Sequence, residues 1–157
     1  MPRPTHPPLG LTLTRSARAI ERVFDERLAA VGGSAPVWQI LISLKTGGSR
    51  NQRELARMVG IRGATLTHHL NAMETAGLIT RRRHPENRRV HIVEMTESGS
   101  EMFLRLREVA VTFDRTLRTG LEPDDLEVFG RVLRQLYANV MGRDAAETDF
   151  LPVRPPD

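Results

Sequence analysis

The sequence predicts a mainly α fold with a small β-wing. Three observations carry that expectation. Apolar residues recur at spacings of three and four over most of the chain, the period of amphipathic helices. Between Asn51 and Thr75 a short helix, a tight turn and a second helix follow one another. Directly afterwards, two strand-like runs flank a turn rich in loop formers, His84-Pro85-Glu86-Asn87-Arg88.

Pro2, Pro4, Pro7 and Pro8 make residues 1–8 an expected flexible arm. The stripe Leu9, Leu13, Ala17, Ile20, Phe24 and Leu28 then predicts a long first helix, closed by Gly32-Gly33. Ser34 can cap the next helix, about residues 35–45, and Pro36 suits its first turn. Val37, Trp38, Ile40, Leu41 and Leu44 make that helix apolar on most sides, so it should be central. Gly47-Gly48 closes it. Asn51 with Glu54 three residues on is a variant capping box, and Leu55, Met58 and Val59 form the buried face up to Gly60.

The helix that follows keeps Leu66, Leu70 and Met73 on one side. At about 100° per residue, Ala64, Thr67, His68 and Asn71 fall opposite, with Thr65 flanking. Gly77 stands where a left-handed residue ends such a helix. Leu78–Arg83 and Arg89–Met95 are the expected strands of the wing; two alone are marginal and need the helices beneath them. From Thr96 to about Arg118, a helix carries Met102, Leu106, Val109, Phe113 and Leu117 on one face. A last helix starts at Pro123, with Asp124 and Asp125 at its positive end and Leu126, Phe129, Leu133, Leu136 and Val140 as its stripe. Residues 142–157 form an expected flexible tail. The three long helices carry more apolar face than a small winged domain needs, which favours a second copy of the chain as partner.

With no cysteine among 157 residues there is no disulfide, thiolate metal site or cysteine redox switch. No apolar run approaches the roughly 18–20 residues of a membrane span, and the Pro-rich start is unlike a signal peptide, so a cytoplasmic location with no membrane partner is expected. No nucleophile–base set, Gly-rich phosphate loop or paired-carboxylate motif occurs, so neither enzymatic activity nor a cofactor is expected. His68 and His69 are helix neighbours that point about 100° apart and cannot readily share an ion; no metal site is expected.

The net charge is +4, and Lys45 is the single lysine. Residues 50–95 hold nine arginines (50, 53, 57, 62, 81, 82, 83, 88 and 89) against Glu54, Glu74, Glu86 and Glu94, a net of +5 that leaves −1 for the rest. One basic block in a near-neutral remainder suits a polyanion-binding face. The bland account is that arginine is abundant throughout the chain.

Taken together these pieces resemble the MarR family of winged helix-turn-helix transcriptional regulators, over roughly residues 9–141. The matching stretches are Gln52-Arg53-Glu54-Leu55-Ala56; Thr65-Leu66-Thr67 with Leu70 and Met73; Ala76-Gly77-Leu78-Ile79 with Arg81; Arg88-Arg89-Val90; and Met95-Thr96-Glu97-Ser98-Gly99. The resemblance implies one domain over 9–141. Its winged helix-turn-helix spans about 35–96, and its dimerisation helices about 9–31 and 97–141. It also implies a homodimeric repressor of a roughly palindromic operator, with recognition helices in successive major grooves and wings in minor grooves. A small effector, often an aromatic or phenolic acid, would release it. Two positions depart from the family pattern: Asn87 replaces the usual wing acid, and Arg62 stands where a hydroxyl cap is usual.

Thr67 and His68 are the expected base-edge contacts, with Ala64 beside them and Asn71 reaching backbone or a flanking base. Gln52, Thr65 and Arg62 are expected on phosphates. Arg88 and Arg89 suit a narrow minor groove. Of Arg81, Arg82 and Arg83, which alternate sides of a strand, Arg82 is expected on DNA and one is expected in an internal ion pair. Arg18 and Trp38 are candidate effector contacts; surface charge and core packing are the plainer readings of that pair. Two other functions compete with specific regulation: sequence-tolerant architectural DNA binding, and a winged-helix module for protein interaction.

Overall fold

Six helices and a three-stranded antiparallel sheet, described over residues 7–48, 50–87 and 89–142 of a computed structural model, make up the fold. The order is α1 (Leu9–Ala29), α2 (Ala35–Gly47), β1 (Arg50–Asn51), α3 (Gln52–Val59), α4 (Gly63–Thr75), β2 (Ile79–Arg83), β3 (His91–Met95), α5 (Glu97–Arg118) and α6 (Pro123–Met141). The expected arm and tail lie outside the described residues apart from residues 7–8 and 142, as does Arg88.

The helix starts follow from local chemistry. Ser34 Oγ accepts from the Val37 N–H at 3.4 Å and Asn51 Oδ1 from the Glu54 N–H at 2.9 Å, each satisfying a donor that has no partner inside its helix. Arg62, at the cap of α4, makes no side-chain capping bond. At the far end of α4, Gly77 takes φ 74°, and the Leu78 N–H reaches back to the Met73 carbonyl at 2.9 Å. Only glycine enters that left-handed turn without a steric cost.

Helix α2 is the centre of the core: Ile40, Leu41, Ile42, Ser43 and Leu44 are all buried on it. Leu55 of α3, Leu66, Leu70 and Met73 of α4, Ile79 and Val93 of the sheet, and Phe103 and Leu106 of α5 close around it. Trp38 stacks on Phe103 with ring centroids 5.6 Å apart, and Phe24 on Phe113 at 5.0 Å.

Several expectations need correction. The wing sheet has three strands, because the two-residue β1 pairs with β3 through Arg50↔Val93 and Asn51↔Ile92. Its hairpin strands are also shorter than expected. Leu78 belongs to the turn after α4, and Arg89 and Val90 belong to the hairpin turn, where the His84 N–H donates to the Val90 carbonyl at 2.8 Å. On α5 Phe103, outside the expected stripe, is buried with Leu106 and Phe113, Met102 and Val109 are half-buried against the core, and Leu117 is exposed. On α6 no residue is buried: Leu126, Leu133 and Leu136 are half-buried, Phe129 and Val140 exposed. No helix among the described residues is long and apolar enough to cross a membrane.

Candidate nucleic-acid interface

Helix α4 presents its polar side outward because its apolar side is fixed. Leu66, Leu70 and Met73 face the core, which leaves Ala64, Thr65, Thr67, His68 and Asn71 exposed together. Thr67 donates its hydroxyl to the Gly63 carbonyl at 2.9 Å. Its outward groups are therefore a methyl and oxygen lone pairs. The rings of His68 and His69 meet edge to face at 5.7 Å, with His68 the more exposed. Gln52, half-buried, opens α3 just before this helix.

Glu74 is the one acid of α4, and it is answered from the wing. Arg81 on β2 donates Nε to Glu74 Oε2 at 3.0 Å and Nη2 both to Glu74 Oε2 and to Asn71 Oδ1, the last at 2.7 Å. Those hydrogen bonds, more than the Arg81 charge, hold the Glu74 carboxyl below the usual carboxylate range. Arg82 forms a two-bond pair with Glu94 on β3, at 2.8 and 3.2 Å. The Glu94 carboxyl is depressed, and the Arg82 guanidinium raised, chiefly by that hydrogen bonding. Two of the three wing arginines are thus paired, not one; Arg83 is exposed and has no carboxylate partner among the described residues.

The remaining arginines divide in the same way. Arg50 donates Nε to the Ser43 carbonyl at 3.3 Å, and lies so close to Gly47 that a side chain there would collide with its guanidinium. Arg53, Arg57, Arg62 and Arg89 are exposed and carry no ion pair among the described residues. Arg53 and Arg57 were not singled out from the sequence. The signal was there: Leu55, Met58 and Val59 face inward, so positions 53 and 57 share the outer side of α3. At the wing tip Asn87 Oδ1 accepts from the Arg89 N–H at 3.2 Å, so an amide holds the turn where an acid is usual.

Arg18 is exposed on α1 and lines a concavity of about 370 Å³ with Glu21, Arg22, Asp25, Ala35 and Pro36. Trp38 is not in that lining; it packs against Phe103.

The MarR family model matches residues 34–91, which covers α2 to the start of β3. The chain is 25% identical over 122 residues to the uncharacterized HTH-type transcriptional regulator YwoH of Bacillus subtilis, covering 78% of this chain and 88% of that protein. Among solved structures, it resembles the transcriptional repressor CouR bound to a 23-mer DNA duplex. That match has 28% identity and a TM-score of 0.76, over 82% of this chain and 92% of the other. The fold also matches BpsR of Bordetella bronchiseptica, whose DNA binding is regulated by 6-hydroxynicotinic acid. Here the TM-score is 0.78 and identity 18%, over 87% of this chain and 97% of that one.

Proposed function

We propose that the chain is a transcriptional regulator of the MarR family, whose model matches residues 34–91, and that it acts as a homodimeric repressor of a roughly palindromic duplex operator. The observation that carries this reading is the outer face of α4. It is polar and free of unpaired carboxylate, since Arg81 takes up its only acid. Exposed arginines lie on the elements either side of it in the chain, Arg53, Arg57 and Arg62 before α4 and Arg83 and Arg89 in the wing. The fold likeness to a DNA-bound repressor at 28% identity supports the same reading.

In this reading Ala64, Thr67, His68 and Asn71 face base edges or the adjoining backbone, while Gln52, Arg62 and Thr65 hold phosphates. Arg89, with Arg88, enters the minor groove, and Arg82 joins only by leaving Glu94. The chain works as one domain over 9–141, with the winged part at about 35–96 and α1, α5 and α6 pairing two copies. Exposed Leu9, Leu11, Leu13 and Ile20 on α1 and Val128, Phe129 and Val132 on α6 supply apolar surface for that pairing. An aromatic or phenolic acid bound beside Arg18 would release DNA if it favours a spacing of the two α4 helices that no longer matches one duplex turn.

The test is fluorescence anisotropy with a duplex from upstream of the gene, beside a scrambled duplex, across a salt series. Repression from an autoregulated operator predicts a large preference for the native duplex that survives moderate salt. Equal binding that collapses with salt would mean that only phosphates are contacted, and the architectural reading would replace this one.

A further inference from the structure

Asn71 stands on the exposed face of α4, yet one end of its amide is already committed. Its Oδ1 accepts from Arg81 Nη2 at 2.7 Å. A guanidinium carries donors only, so the amide must turn its oxygen towards the wing and its amino group away from it. Arg81 cannot easily move to release that oxygen. Its side chain is 19% exposed, and Glu74 grips both its Nε and its Nη2. The hydrogen bonds from Arg81 hold the Glu74 carboxyl below its ordinary range, which favours the charged form of the grip. Glu74, Arg81 and Asn71 therefore form a chain that runs from the end of the recognition helix, through the first wing strand, to the DNA-facing side.

We propose that Arg81 is a specificity-determining positioning residue: by holding Asn71 Oδ1 it presents Asn71 to DNA as a hydrogen-bond donor alone. An unrestrained asparagine reads adenine with two bonds, accepting from N6–H and donating to N7 with oxygen and nitrogen side by side. With the oxygen drawn to the wing, that pairing is withheld. Asn71 then contacts an acceptor: guanine O6 or N7, thymine O4, or a phosphate oxygen, with adenine left only its N7 and so disfavoured against guanine, which offers two acceptors. The inference rests on the DNA-binding reading above and adds what one residue of that face can recognise.

The experiment uses the full chain and a panel of operator duplexes with each base pair replaced in turn. Wild type is compared with Asn71→Ala, Asn71→Asp and Arg81→Met. Asn71→Ala should weaken binding about tenfold and either erase the preference at one base pair, which is not adenine in wild type, or lower the affinity for every duplex equally, as a phosphate contact would. Asn71→Asp keeps the acceptor that Arg81 needs but puts a carboxylate oxygen in place of the donor, and should cost at least as much. Arg81→Met should let Asn71 turn and gain adenine at that position. A wild-type preference for adenine at the pair that Asn71→Ala erases would overturn the proposal, as would unchanged binding by Asn71→Ala. A separate readout needs no DNA. The Asn71 side-chain amide resonances of the free protein should shift in Arg81→Met, and unchanged resonances would mean the bond is absent in solution. A wild-type chain that binds no duplex would instead overturn the regulator reading, with the amide comparison still deciding the anchoring.

Discussion

The Thr96 hydroxyl donates to the Gly77 carbonyl at 2.6 Å and accepts from the Gly99 N–H at 3.0 Å. One side chain thereby caps α5 and ties its first turn to the residue that ends α4. The Thr96 N–H adds a bond to the Leu78 carbonyl at 3.1 Å. Helix α4 and the long helix α5 are joined at this point.

Thr96→Ala should lower stability by about 1 kcal/mol, the usual worth of a lost cap, whereas Thr96→Ser should keep most of it. Gly99→Ala should cost about 1–3 kcal/mol, because its new Cβ would collide with the Leu78 carbonyl oxygen, a backbone atom with little room to move. Urea denaturation at neutral pH measures all three. A Gly99→Ala midpoint equal to wild type would mean that α5 and the turn after α4 do not approach this closely.

Stability should also depend on pH through Glu74. Its carboxyl is depressed in the folded chain by hydrogen bonds from Arg81. A carboxyl with a folded pKa below its unfolded value, about 4.3, contributes fully above that value and loses the contribution as pH falls through the folded pKa. Glu74→Gln should therefore be less stable than wild type at pH 7, with the gap closing as both are taken below about pH 4. A gap of equal size at both ends would assign the effect to packing instead of ionisation.

Much of this was legible in the sequence where the signal is local. Ser34, Asn51, Gly77 and Pro123 mark helix ends through bonds or dihedral limits that lie within a few residues of each. Strand β1 was not legible, because two residues make no pattern and their partners, Ile92 and Val93, lie some forty positions on. The pairing of the wing arginines was legible only by half. Strand alternation separates Arg81 from Arg82, but that Glu74 meets the first and Glu94 the second depends on how α4 and β3 flank β2. The amphipathic stripe of α6 was visible as well, yet the fold leaves it without a buried residue. Such a stripe shows apolar surface and not what covers it.

That unburied stripe leads to a direct test of self-association. Phe129 on α6 is 57% exposed, with Val128 and Val132 exposed beside it. Placing a carboxylate among apolar groups that the proposed second copy would cover is strongly unfavourable. Phe129→Glu should shift the chain from dimer to monomer in sedimentation velocity at micromolar concentration. Circular dichroism should show the helices retained, since α6 adds nothing to the buried core. A variant that remains fully dimeric would move the contact away from this face of α6.

The last prediction concerns the wing. Arg89 is exposed and unpaired among the described residues, while Arg82 is neutralised by Glu94. A cation that contacts a phosphate releases about one counterion, so Arg89→Ala should weaken binding and lower the salt slope by about 1. Glu94→Gln should do the opposite. It removes a negative charge from the wing sheet and frees Arg82, so affinity should rise and the slope steepen by up to about 1. The two variants separate a wing that touches DNA from one that only stands near it. Bulk charge alone would make both follow the net charge with unchanged slopes, whereas direct contact moves the slopes in opposite directions. If Glu94→Gln binds as wild type does, Arg82 lies off the DNA and belongs to the internal frame of the wing, with Arg83 left as the strand's one exposed, unpaired cation among the described residues.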